Sequence, residues 1–112
     1  MTGPWTDPVV ETRWFNVYLD GYPVTPGHLL FVPRVDDWKH MSECWQAAYR
    51  WGYDLVQRGE WDGFNLGQNV GEAAGQTVEW PHVHLIPRRH GDSENPRGGV
   101  RGVIPQQADY TQ

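Results

Sequence analysis

His82, Val83 and His84 form the sharpest local pattern in this sequence. On an extended strand, residues two apart point to one face, so His82 and His84 stand side by side with Val83 turned to the core. A neighbouring imidazole pair can bind a metal, or divide nucleophilic and acid–base roles between its rings. It can equally be two half-buried histidines on a sheet surface. A metal site needs a third ligand; His28 and His90 are available, and nothing in their spacing demands a metal. Just before the pair comes a small-residue loop with Gly75, Gln76 and Thr77. Such a loop lets the backbone approach a ligand closely, and its N–H groups can cradle phosphate oxygens, with a carboxamide and a hydroxyl alongside. Alone it reads as a turn; beside a histidine pair it is a candidate phosphate seat. Asp20, His28 and Asn69 lie at the ends of apolar stretches, where ordinary turn and edge residues are also found. Arg88, Arg89, Arg97 and Arg101 make the last quarter the most basic part of the chain. Four guanidinium groups there can receive phosphates or simply face water.

The elements that must position these groups follow from local pattern. Residues 1–12, with Pro4 and Pro8, read as an extended lead-in. Residues 13–20 are rich in aromatic and β-branched types and read as a strand. Residues 21–27, with two prolines and two glycines, are turn chemistry. The apolar run 28–32, closed by Pro33, reads as a buried strand pairing with the first as a hairpin. Met41, Cys44, Trp45, Ala48, Leu55 and Val56 recur close to a 3.6 period and predict a helix over 42–58. Ser42 or the Asp36–Asp37 pair caps its start, and Gly59 is a natural stop. Residues 64–70 alternate as a third strand, and 83–86, between Pro81 and Pro87, form a fourth. From Arg88 on, the tail is polar and rich in Gly and Pro. Strands, one long helix and more strands predict an α+β fold with an antiparallel sheet.

The 112 residues suit a single domain, 1–112, with the lead-in and an 88–112 tail as its ends. Fourteen acids against nine bases give a net charge of −5, which argues against nucleic-acid or anionic-membrane binding. No apolar run approaches the roughly 20 residues of a membrane span, and the N-terminus lacks the pattern of a signal peptide. Cys44 is the only cysteine, excluding an internal disulfide or a Cys-based zinc site and pointing to a reducing cytoplasm.

Two stretches resemble the signatures of the histidine triad (HIT) superfamily: Pro23-Val24-Thr25-Pro26-Gly27-His28 with Leu29 to Arg34, and Ala74-Gly75-Gln76-Thr77-Val78 with His82-Val83-His84-Leu85-Ile86-Pro87-Arg88. The resemblance covers residues 12–105 in register, and the tail from Gly91 to Arg101 is similar to the bacterial dinucleoside-polyphosphate-hydrolase-like branch. It implies a sheet of about five antiparallel strands with one long helix, paired in a two-fold homodimer that buries the helix face carrying Trp45 and Trp51. It implies a nucleotide hydrolase, with His82 as the nucleophile attacking the α-phosphorus. The carbonyl near Trp80 orients His82, and His84, Gln76 and Thr77 contact phosphate oxygens. Asp20 binds the ribose hydroxyls, His28 buttresses the cluster, and Asn69 and Gly75 complete the nucleotide seat. Arg97 and Arg101 take distal phosphates. The family pattern is His-φ-His-φ-His-φ-φ, and Trp80 stands where its first histidine falls. Family members often have an extra N-terminal strand that helps to enclose the base; this sequence begins late against that pattern, and the expectation is a looser base selectivity or one completed by the Trp-rich lead-in. No protein-held metal or cofactor is expected, Mg²⁺ only accompanying a polyphosphate substrate. The alternatives are a nucleoside phosphoramidate hydrolase or nucleotidyl transferase, or a non-catalytic nucleotide-binding protein.

Overall fold

The computed structural model of the chain describes residues 3–111. Its strands are β1 (Val10–Glu11), β2 (Phe15–Leu19), β3 (Leu29–Pro33), β4 (Gly63–Gly67) and β5 (Val83–Arg88), and its long helix is α1 (Trp38–Gln57). The strands form one sheet in the order β1-β2-β3-β5-β4, antiparallel throughout. The fold is therefore the expected α+β arrangement of five strands and one helix.

Alternation along the strands divides the sheet into two faces. On one, Phe15, Val17, Leu29, Phe31, Val83 and Leu85 pack against Met41, Cys44 and Ala48 of α1. Full burial of a side chain such as Leu85 contributes about 1.5–3 kcal/mol, and Leu85 has no exposed surface. The opposite face carries a smaller apolar group, Tyr18, Leu30 and Val32, with Trp5 and Trp80 packed on it. The histidines lie on this second face.

The helix begins four residues before the expected start. Asp37 is its N-cap, accepting from the His40 backbone N–H at 2.9 Å, while Ser42 Oγ–H donates to Lys39 O inside the helix. Before Met41 the first turn holds exposed Trp38 and the polar Lys39 and His40, so the apolar stripe does not mark its start. The helix ends with Gly59 at φ +75°, as a C′ glycine should. Gly52 lets α1 approach β4, because a Cβ there would fall 2.8 Å from the Phe64 ring. Cys44 is wholly buried, and burial pushes its thiol up to about 12, which makes it a packing residue without reactivity.

Three expectations change at the element level. The third strand stops at Gly67 rather than Val70, the strand at 83 runs on to Arg88, and the lead-in contributes the short edge strand β1. Trp45 and Trp51 are partly buried and pack against the core cluster. The exposed aromatics of α1 include Tyr49 and Tyr53, which stack on each other beside β4 with Tyr49 edge-on to Phe64. No helix among the described residues is long and apolar enough to cross a membrane.

Candidate active site

β2 and β3 form a hairpin whose loop end carries Asp20 and His28, joined by the bond from Asp20 N–H to His28 O. Thr25 Oγ–H donates to Pro87 O at 2.7 Å and fastens this turn to β5. His84 on β5 registers with Leu30 on β3, so it projects beside His28. The outcome is a chain of polar atoms. His28 Nε2 lies 3.0 Å from His84 Nδ1 and 3.4 Å from Asp20 Oδ2. His28 Nδ1 is 3.1 Å from the Val24 backbone N–H, which can only donate to it. Neutral His28 therefore carries its proton on Nε2 and donates it to His84 Nδ1. His84 in turn carries its proton on Nε2, a free donor in the cleft.

His82 is oriented differently. Its Nδ1 lies 2.8 Å from the Trp80 carbonyl oxygen, an acceptor only. The proton is on Nδ1, and the Nε2 lone pair is bare. This contact matches the expectation from the sequence. It is supplied by the backbone, while the Trp80 indole N–H donates to Pro33 O at 2.9 Å and its ring packs on the Tyr18 group. The rings of His82 and His84 have centroids 5.0 Å apart. Burial, reinforced by neighbouring His82 and His28, holds His84 down to about 4 from the ordinary 6.5. Burial also lowers His28, against the opposing pull of Asp20.

Asp20, His28 and His84 bring ligand-type atoms within 4.8 Å of one another. A metal on His28 Nε2 would displace the proton there while Nδ1 still accepts from Val24. That leaves an imidazolate, the reverse of the usual arrangement in which a ligating histidine donates from its other nitrogen. The donor chemistry suits proton sharing.

A cleft of about 890 Å³ opens at His84, lined also by Asp20, His28, Asn69, Asn65 and Arg88. Arg88 is the one arginine among the described lining residues, and it is engaged: Nε and one terminal nitrogen donate to both oxygens of Asp92, and the other donates to Asn65 Oδ1. The guanidinium and the Arg89 backbone N–H hold the Asp92 carboxyl far below the usual range.

Several expected residues fall elsewhere. Gln76 was expected to contact phosphate, but its carboxamide is spent within the loop. Oε1 accepts from Gly71 N–H, and Nε2 donates to Val78 O and Glu79 O. Gly75, at φ +91°, ends a short turn of 3-10 helix over Glu72–Ala74, and Thr77 is exposed; none of the three lines the cleft. Arg97 and Arg101 do not line it either. Arg101 Nε donates to Gln107 O and Ala108 O, with its guanidinium over Tyr110. The tail instead reaches the cleft through Gly99, Val100 and Val103. Asn65 and Asp92 were not foreseen; the outward position of Asn65 on an alternating strand was the available signal.

Residues 6–91 match the HIT domain family, and the chain belongs to it. It is 39% identical over 80 residues to a bis(5'-adenosyl)-triphosphatase of Dictyostelium discoideum, a match covering 65% of this chain and 54% of that protein. It is 29% identical over 109 residues to an adenosine 5'-monophosphoramidase of Saccharomyces cerevisiae, covering 91% and 64%. The chain thus spans about half to two thirds of the length of these curated relatives. Among solved structures, a Zn-bound histidine triad family protein from Mycobacterium smegmatis superposes with a TM-score of 0.70 at 29% identity, covering 79% of this chain and 69% of that one.

Proposed function

We propose that the protein is a nucleotide hydrolase that cleaves at the α-phosphate through a covalent nucleotidyl-histidine at His82. The observation that carries this reading is the His82–Trp80 carbonyl contact, which leaves Nε2 unprotonated as a nucleophile needs to be. His82 Nε2 attacks phosphorus, an N–P bond forms, and the leaving group departs with the bonding pair and takes up a proton from solvent, which the water of the second step returns. Water then breaks the N–P bond, releasing the nucleoside monophosphate and restoring the imidazole. His84 Nε2–H donates to a non-bridging oxygen as charge builds. Asp20 accepts from the ribose hydroxyls, His28 fixes the tautomer of His84, and Asn69 faces the cleft toward the leaving side. The names of the two curated relatives, a dinucleoside triphosphatase and a phosphoramidase, support phosphorus–oxygen or phosphorus–nitrogen cleavage at a nucleotide.

The charge of the cleft favours the phosphoramidate reading over the polyphosphate one. Its arginine is paired with Asp92, and Asp20 adds a second carboxylate, so a chain of distal phosphates finds no free cation among the described lining residues. An uncharged or amine leaving group fits better. Comparing kcat/KM for diadenosine triphosphate and for adenosine 5'-phosphoramidate tests this directly. The phosphoramidate should be the better substrate, and a preference for the triphosphate would return the assignment to dinucleotides.

We further propose that two copies pair through the free edge of β4 and the adjoining Tyr49–Tyr53 pair. An unpaired strand edge flanked by exposed aromatics is a natural association surface. The site works on a nucleotide in the cytoplasm, with neither nucleic acid nor membrane as partner.

A further inference from the structure

We infer that Trp5 is a displaceable plug: its indole occupies the apolar seat beside His82 that the planar base of a nucleotide needs, so a nucleotide must move it to reach the imidazole. The inference rests on the nucleotide reading for the identity of the competing ligand. The cover over His82 stands on geometry alone.

Trp5 meets the His82 ring edge-on, with centroids 5.0 Å apart. Its other contact is a stack on Tyr18, with centroids 6.1 Å apart and planes inclined by 28°. Trp5 packs on the apolar group of Tyr18, Leu30 and Val32, on which Trp80 also packs. A planar heteroaromatic ring over Tyr18 with its edge at His82 is what a purine would present there. The cleft reaches His84 and His28, but His82 is not among its lining residues. The indole, 5.0 Å from the half-buried His82 ring between centroids, covers the nucleophile on the side where it sits.

The segment carrying Trp5 is tied down late. The first hydrogen bond to the sheet is Val9 N–H to Val17 O, and among the described residues Gly3 to Pro8 make no backbone hydrogen bond. Asp7, between Trp5 and that anchor, has φ +59°, the one positive value among the described non-glycine residues. Asp tolerates this region better than most residues, and it makes a natural pivot. Gly3 lies against the indole face, where a Cβ would intrude on the ring atoms Cζ3 and Cε3. The seated indole therefore depends on a glycine at that point.

A plug lowers apparent affinity by the fraction of molecules that are open, so removing it should tighten binding. The test uses Trp5→Ala, and Gly3→Val as a variant that keeps the indole but hinders its seating. One readout is the rate of carbethoxylation of His82 by diethylpyrocarbonate, measured by peptide mapping against exposed His90. The other is the Kd for AMP by calorimetry. Trp5→Ala should raise the His82 rate and tighten AMP by roughly three- to tenfold, with Gly3→Val shifting both the same way by less. Weaker AMP binding in Trp5→Ala would make Trp5 a wall that holds the base and overturn the plug. An unchanged His82 rate in both variants would overturn the cover itself. If neither wild type nor variant binds AMP while the His82 rate still rises, the cover stands and the nucleotide reading falls.

Discussion

The group that prepares His82 is a backbone carbonyl, so any residue at position 80 would supply it. Trp80→His should therefore keep kcat/KM within about tenfold, a change of less than about 1.4 kcal/mol in the barrier. The melting temperature should drop, because the indole bond to Pro33 and its packing are lost. His84 gives a pH signature. Its folded value of about 4 lies below the ordinary 6.5, so between those values the unfolded chain binds more protons. The stability this contributes is full above about pH 6.5 and is lost as the pH falls toward 4, and buried His28 acts in the same direction. Urea midpoints should decline from pH 7 to pH 5, and His84→Gln should flatten that decline; an equal slope in both proteins would assign the acid sensitivity elsewhere. The histidine cluster was legible in part: strand alternation puts His82 and His84 on one face, and the family resemblance, not local pattern, placed His28 beside them. Gln76 and Arg101 were not. Both have nearby carbonyls of their own segments as competing partners, and residue type cannot say which partner wins.

Element identity followed from periodicity, whereas boundaries followed from groups that periodicity ignores. The start of α1 is set by the Asp37 carboxylate, whose residue lies outside the apolar stripe. Asp37→Ala should destabilise the protein by about 1 kcal/mol, within the 0.5–2 range for caps. Ser42→Ala should be close to neutral, because that hydroxyl only back-bonds within the helix. Denaturant midpoints that moved equally for both would contradict this placement of the cap. The strand beginning at Val83 outran its expected end because Ile86, Pro87 and Arg88 pair with β4, a long-range contact that a flanking proline conceals in the sequence. The edge strand within the lead-in escaped notice for a related reason. Two residues of β1 carry no periodic signal, and Trp5 gains its meaning only from Tyr18 and His82 on other strands.

Across the whole molecule, charge bears on the proposed choice of substrate. Fourteen acids outnumber nine bases, and the arginine at the cleft is already paired. Asp92→Asn should free Arg88 and raise affinity for diadenosine tetraphosphate several-fold more than for AMP, read by competition binding. Equal changes for the two ligands would mean that Arg88 does not face the phosphate chain. Association through β4 is checked by light scattering at micromolar concentration, where twice the 12.9 kDa chain mass is expected and the single chain mass would remove the proposed pairing. In the proposed mechanism these features serve an imidazole that attacks phosphorus. The most direct test is rapid quench of a reaction with substrate labelled at the α-phosphate, comparing wild type with His82→Asn. Wild type should yield an acid-labile, base-stable adduct that maps to His82, and His82→Asn should bind nucleotide, form no adduct and show no turnover. A His82→Asn protein that turns over at the wild-type rate, or an adduct mapped to another residue, would contradict the account.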